Sequence, residues 1–192
     1  MKKLWIILNF LPLFVFGQKG ALSIDVLFSP DFYVPPQVES NSSSYQESAY
    51  HLGFNVVKSL DKHPQWSFRS GVRYHVYNQR VEGFYFPSGN FERYTSYTAS
   101  KYFDIPLAVR YSFGKARLRG YAELIASMSI KTNSCSCNQL YQTLGFSLGL
   151  EYQITPALGV FAQPTVRSPL TRINDYALAA GIELGVKYRL PK

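Results

Sequence analysis

Charged side chains of both signs sit inside otherwise apolar segments of this chain: Asp25, Arg69, Arg73, Asp104, Arg110, Arg117, Arg119, Glu123, Glu151, Glu183, Lys187 and Arg189. Such groups have three uses. They neutralise one another as buried ion pairs, they line a path for ions, or a carboxylate works with a histidine as acid and base. The histidines are His51, His63 and His75. None has a serine spaced so that both lie on one outward strand face near a bilayer rim, as a lipid hydrolase or acyltransferase would need. No catalytic residue is assigned, and the expected answer to enzyme activity is no. Cys135 and Cys137, in KTNSCSCNQ, fit a strained disulfide, a free pair or a metal site. Two thiolates without a nearby histidine are a weak metal signal, so no metal or cofactor is expected.

The elements that must position these charges have a period of two. In LGFSLGLEYQI, residues 144 to 154, Leu144, Phe146, Leu148, Leu150, Tyr152 and Ile154 share one face, and Gly145, Ser147, Gly149, Glu151 and Gln153 share the other. A strand rises about 3.3 Å per residue, so this apolar face runs for roughly 35 Å, enough to cross a bilayer at a tilt. The pattern recurs near 20–29, 49–60, 66–77, 101–113, 117–128, 157–167 and 177–190. In most segments the charges fall on one face and the bulky apolar residues on the other; the fifth is less clean, with Ile125 on the wrong face, and in the seventh Pro164 removes one ladder donor. That makes eight strands, an even number, as bacterial membrane barrels have.

Connections alternate in length. Residues 61–65, 114–115 and 155–156 are short, whereas 30–48, 79–100, 131–142 and 168–176 are longer. Membrane barrels have short periplasmic turns and longer external loops, which puts both termini on the periplasmic side. The first residues, MKKLWIILNFLPLFVFGQ, carry Lys2 and Lys3 ahead of an apolar run and read as a signal peptide, residues 1–17, cleaved before Gln18. Asn9 and Pro12 interrupt the run, which falls short of the roughly 20 residues a spanning helix needs. About 175 residues then form one domain, 18–192.

Composition agrees with this reading. Mean hydropathy is only −0.10, as expected when inward and outward residues average out, and the 16% aromatic content suits interfacial girdles. The net charge of +8 would suit nucleic acid, but an exported barrel meets anionic lipid headgroups or surface polysaccharide instead, so no nucleic-acid partner is expected.

At KYFDIPLAVRYSFG, residues 101–114, the chain resembles a strand of the PorT-like outer-membrane β-barrel family, with Tyr102, Asp104, Ile105, Pro106, Leu107, Arg110 and Tyr111 in the places where that family has them. The closing segment Glu183 to Leu190 is similar to the C-terminal signal read by barrel-assembly machinery, although Pro191 and Lys192 follow it. The resemblance implies a bacterial outer-membrane location and that fold, and carries over no functional residue.

The expectation is an all-β chain, an eight-stranded antiparallel up-and-down transmembrane β-barrel. Eight strands leave an interior just wide enough for side chains, so Arg73, Asp104, Arg110, Glu123, Glu151 and Glu183 should pair and plug it. The alternative is a narrow pore for ions or small solutes. External aromatics, Phe84, Tyr85, Phe86, Phe91 and Tyr94 above all, are candidate contacts for a protein or glycan; alternatively, strands three and four continue as a hairpin with these rings as its girdle. The partners expected in any case are outer-membrane lipid and the assembly machinery. The competing fold, a soluble lipocalin-like barrel, would put its bulky apolar residues inside.

Overall fold

The computed structural model describes residues 21–34, 42–85, 92–114, 117–132, 140–170 and 178–191. The segment read as a signal peptide lies outside the described residues, as do Phe86, Phe91, Cys135 and Cys137. Eight strands follow in chain order: β1 (Leu22–Val34), β2 (Ser42–Ser59), β3 (Trp66–Tyr85), β4 (Glu92–Phe113), β5 (Leu118–Lys131), β6 (Leu140–Gln153), β7 (Leu158–Pro169) and β8 (Leu178–Arg189). Each pairs antiparallel with the next, and β1 pairs with β8, so the sheet closes. Closure removes the edges that would leave unpaired backbone N–H and C=O groups in hydrocarbon.

The polarity is inverted relative to a soluble barrel. Val26, Leu52, Leu124, Phe146, Leu148, Leu150, Leu184 and Val186 stand exposed on the outside, while Asp25, His51, Arg73, Gln163 and Glu183 are 0% exposed inside. Water would not tolerate that outer band, and a lipid environment is the solvent that matches it. Aromatic rings mark its two rims. Trp66 packs against Tyr111 at 5.0 Å between ring centres at the short-turn end, and Tyr74 against Phe103 at 5.2 Å toward the other end.

The strands run further than their apolar alternation. Residues 30–48 and 79–100, read from the sequence as loops, are largely strand: β3 and β4 stay in register to Tyr85 opposite Glu92, and β2 accompanies β3 to Ser42 opposite Gly83. Beyond the apolar band both faces meet water, so period-two hydrophobicity vanishes although the backbone ladder continues. One consequence is chemical. Asp31, placed in a loop by sequence, belongs to β1 and points inward at 2% exposure. Arg117 and Arg119, expected inside, are exposed at the short-turn rim, where β5 has only begun. Ile125 does face inward, at 1% exposure.

Gly114 and Gly149 are among the glycines that geometry requires. Gly114 turns β4 into β5 with φ +92°, a left-handed conformation that residues with a Cβ avoid. Gly149 lies opposite Tyr121, and a Cβ there would stand 2.2 Å from the ring's Cζ. Gly149→Ala should therefore lower stability by about 1–3 kcal/mol through overpacking. Gly159→Ala, where the nearest neighbour would be the Tyr152 carbonyl oxygen at 3.2 Å, should cost less; urea titration of the refolded protein checks both.

Candidate functional site in the barrel lumen

Because side chains alternate, every second residue of each strand points inward, and eight strands converge on one axis. The site is the column of polar groups that results. All six residues expected as a lumen network, Arg73, Asp104, Arg110, Glu123, Glu151 and Glu183, are buried on that axis. Their partners are mostly not their neighbours in the sheet. Arg73 stands opposite Asp104 in the β3–β4 register, yet its Nη1 lies 2.8 Å from Glu183 Oε1 on β8.

The column has three levels. In the middle, Glu123 accepts from Arg69 Nη2 at 2.5 Å, Gln163 Nε2 at 2.7 Å, Arg110 Nε at 3.2 Å and Ser147 Oγ at 3.3 Å, while Arg69 Nη1 also donates to Glu183 Oε2 at 3.1 Å. Six strands, β3 to β8, are thereby joined. Toward the short turns, Arg110 stacks over the Tyr121 ring at 4.0 Å, Tyr121 Oη donates to Gln163 Oε1 at 3.0 Å, and Glu151 pairs with Lys187 and Arg189. Asp25 is 0% exposed, and its nearest ion pair is Arg110 at 4.0 Å.

The third level lies toward the long hairpins and is built differently. His51 and His75, paired across β2 and β3, hold their ring centres 4.5 Å apart. His51 Nδ1 lies 2.7 Å from Asp31 Oδ2, and His75 Nδ1 lies 3.7 Å from the same oxygen. Arg167 Nη2 donates to that oxygen at 3.1 Å, and Ser129 Oγ donates to Asp104 Oδ1 at 2.7 Å. Above them Tyr33 and Tyr77, ring centres 4.7 Å apart, roof part of the opening; beside them a small recess is lined by Tyr33, His75, Tyr102, Asp104, Ser129, Thr143 and Arg167.

Alternation along 49–60, 66–77 and 157–167 puts His51, His75 and Arg167 on inward faces, but nothing local gathers them into a site, and the alternation read from the sequence stops short of Asp31. The available signal was the continuation of alternation through Asp31 and Tyr33 between Phe32 and Val34. Of the aromatic candidates, Tyr94 is exposed on β4, as is Tyr97 at 67%, and Phe84 and Tyr85 end β3, their side chains lying outside the described residues.

The lumen can thus do two things chemically. Its carboxylates Asp25, Asp31, Asp104, Glu123, Glu151 and Glu183 face the cations Arg69, Arg73, Arg110, Arg167, Lys187 and Arg189, so formal charge cancels with the histidines neutral. Filled this way it locks the walls together, and at one end it presents imidazole and carboxylate ligands near a mouth.

No protein-family model matches the chain, and no curated protein does. Among solved structures it is similar to Neisserial surface protein A, with a TM-score of 0.58 and 14% identity over 90% of this chain and all of that one. It is also similar to OprG, an outer membrane protein of Pseudomonas aeruginosa (TM-score 0.49, 9% identity, 91% of this chain and 98% of that one). A third is Ail, the attachment invasion locus protein of Yersinia pestis (TM-score 0.43, 16% identity, 89% and 97%). The likeness to Neisserial surface protein A, at 14% identity, shows the fold alone, the closed eight-stranded antiparallel membrane barrel described above.

Proposed function

We propose that this chain is an integral barrel of a bacterial outer membrane, exported by a cleaved signal peptide at residues 1–17, that acts through its projecting hairpins and not as a conduit or an enzyme. One observation carries the reading: the outside is a continuous apolar band, while the axis is filled by mutually paired side chains. Such a barrel serves as a rigid mount. Within the class, the residues Tyr102 to Tyr111 favour kinship with the PorT-like barrels. The described lumen supplies no serine or cysteine beside a histidine at hydrogen-bond distance, which weighs against hydrolytic chemistry.

What the mount presents is the sheet of β2, β3 and β4 beyond the apolar band, with Tyr94 at 40% and Tyr97 at 67% exposure. Exposed tyrosines on rigid strands make binding contacts at low entropic cost, so a protein or glycan is the partner class that fits. Planar-bilayer recording of the reconstituted chain should give no stable current above background, and a steady conductance would overturn the filled lumen. Binding to a glycan array and to a panel of soluble proteins tests the surface. Tyr94→Ser combined with Tyr97→Ser should weaken the strongest signal roughly 10–30-fold without altering heat-modifiable gel migration. Unchanged binding removes this hairpin from consideration, and recovery of the whole chain as a monomer in plain buffer removes the membrane assignment.

A further inference from the structure

We infer that the hairpin end of the lumen holds a binding site for a first-row divalent cation of the zinc class, with His51 Nδ1, His75 Nδ1 and Asp31 Oδ2 as its ligands. The three residues are buried, and their ligand atoms lie within 4.8 Å of one another. Asp31 Oδ2 is 2.7 Å from His51 Nδ1 and 3.7 Å from His75 Nδ1. Ligands about 2.0–2.1 Å from a tetrahedral zinc are about 3.3 Å apart, and those two separations bracket that value. Two imidazoles and one carboxylate are a ligand set this class of ion favours, and they leave a position for water.

The second observation is independent of the first. A metal-bound histidine characteristically directs its other ring nitrogen to a carboxylate, which fixes the tautomer and raises its basicity. Both histidines have that arrangement here: His51 Nε2 faces Glu183 Oε1 at 3.6 Å, and His75 Nε2 faces Asp104 Oδ2 at 3.5 Å. His51 Nε2 is fully buried without a hydrogen bond, and Glu183 Oε1, which it faces, is held at 2.8 Å by Arg73 Nη1. With the ion on Nδ1, the neutral His51 ring carries its proton on Nε2, where it meets Glu183. The one ring nitrogen of His51 that lacks a hydrogen bond thereby gains one.

The place is already cationic. Arg167 Nη2 lies 3.1 Å from Asp31 Oδ2 and 3.4 Å from His51 Nδ1, so its guanidinium stands where the ion would. It is the resident charge that the ion displaces. A recess beside it is lined by His75, Asp104 and Arg167 itself. Below the site Arg69, Arg73 and Glu183 close the axis, which makes it a dead-end well and not a transit station. The inference is independent of which partner the hairpin binds.

The test uses the full chain carrying Cys135→Ser and Cys137→Ser, folded in detergent micelles, with Zn2+ competed against a chromophoric chelator and Co2+ read by its visible absorption. The expected result is one ion per chain, with a tetrahedral Co2+ spectrum. His75→Asn should weaken affinity at least tenfold, and Arg167→Gln should strengthen it about tenfold or more. That opposite sign is what a merely adventitious histidine contact would not give. Arg167→Gln also keeps the inference testable if the arginine holds the wild-type site closed. Failure of both the wild-type and Arg167→Gln proteins to bind, while each shows folded gel migration, overturns the site. So does binding that His75→Asn leaves unchanged, or binding that needs the two cysteines.

Discussion

Glu123→Ala lowers the unfolding free energy by about 3–5 kcal/mol, the expected cost of leaving buried charges without their partner. The size follows from position. Glu123 is 1% exposed and takes hydrogen bonds from Arg69 on β3, Arg110 on β4, Ser147 on β6 and Gln163 on β7. Without it, Arg69 and Arg110 remain at 1% exposure with one carboxylate fewer to hold them. Glu123→Gln keeps two polar atoms in place and should lose less. Pairing Glu123→Leu with Arg69→Met should cost less than the two single changes added together, because each single change strands the other group. Urea titration in lipid vesicles, followed by the fluorescence of Trp66 at the rim, reads these values. A loss below about 1 kcal/mol for Glu123→Ala would place the carboxylate in contact with water, contrary to the filled axis.

The second large effect is on the outer face. Leu148→Arg should cost about 2–4 kcal/mol in a bilayer, since an arginine at mid-depth on a lipid-facing strand must be kept out of hydrocarbon. Leu148 is 52% exposed in the middle of β6, between the rows of Phe146 and Leu150. Leu158→Arg, at the start of β7 by the short turns, should cost no more than about 1 kcal/mol, because the charge reaches the interface. This depth dependence separates a membrane barrel from a soluble one. In a soluble barrel both arginines would meet water and improve solubility, so equal and small effects at the two positions would contradict the lipid-facing assignment.

Much of the architecture was legible because a period of two is a local property. Leu144 to Ile154 already shows which side chains share a face, and the alternation of short and long connections orders the strands into hairpins. What lay beyond the apolar band was not legible. Ser42 to Ser48 and Glu92 to Ser100 are polar on both faces, so nothing in their composition separates a strand in water from a loop. The same blindness hid Asp31, one residue past Pro30, with which the first long connection opens in the sequence reading. Arg119 erred the other way: its parity is inward, but parity says nothing of height, and it sits at the open rim.

By itself, then, the sequence determined the number of strands, the face each side chain occupies and the inversion that makes the outside apolar, since these follow from residue type and neighbour spacing along one strand. Only the tertiary structure decided who meets whom on the axis. Arg73 is adjacent to Asp104 in the sheet yet pairs with Glu183, which lies 110 residues further on, and Asp31 meets Arg167 across 136. Those distances are fixed when β1 closes on β8, because closure sets how far each inward side chain stands along the axis. The imidazoles of His51 and His75 acquire their carboxylates at the same step, which is why a chain with no legible metal motif has a ligand cluster at its mouth.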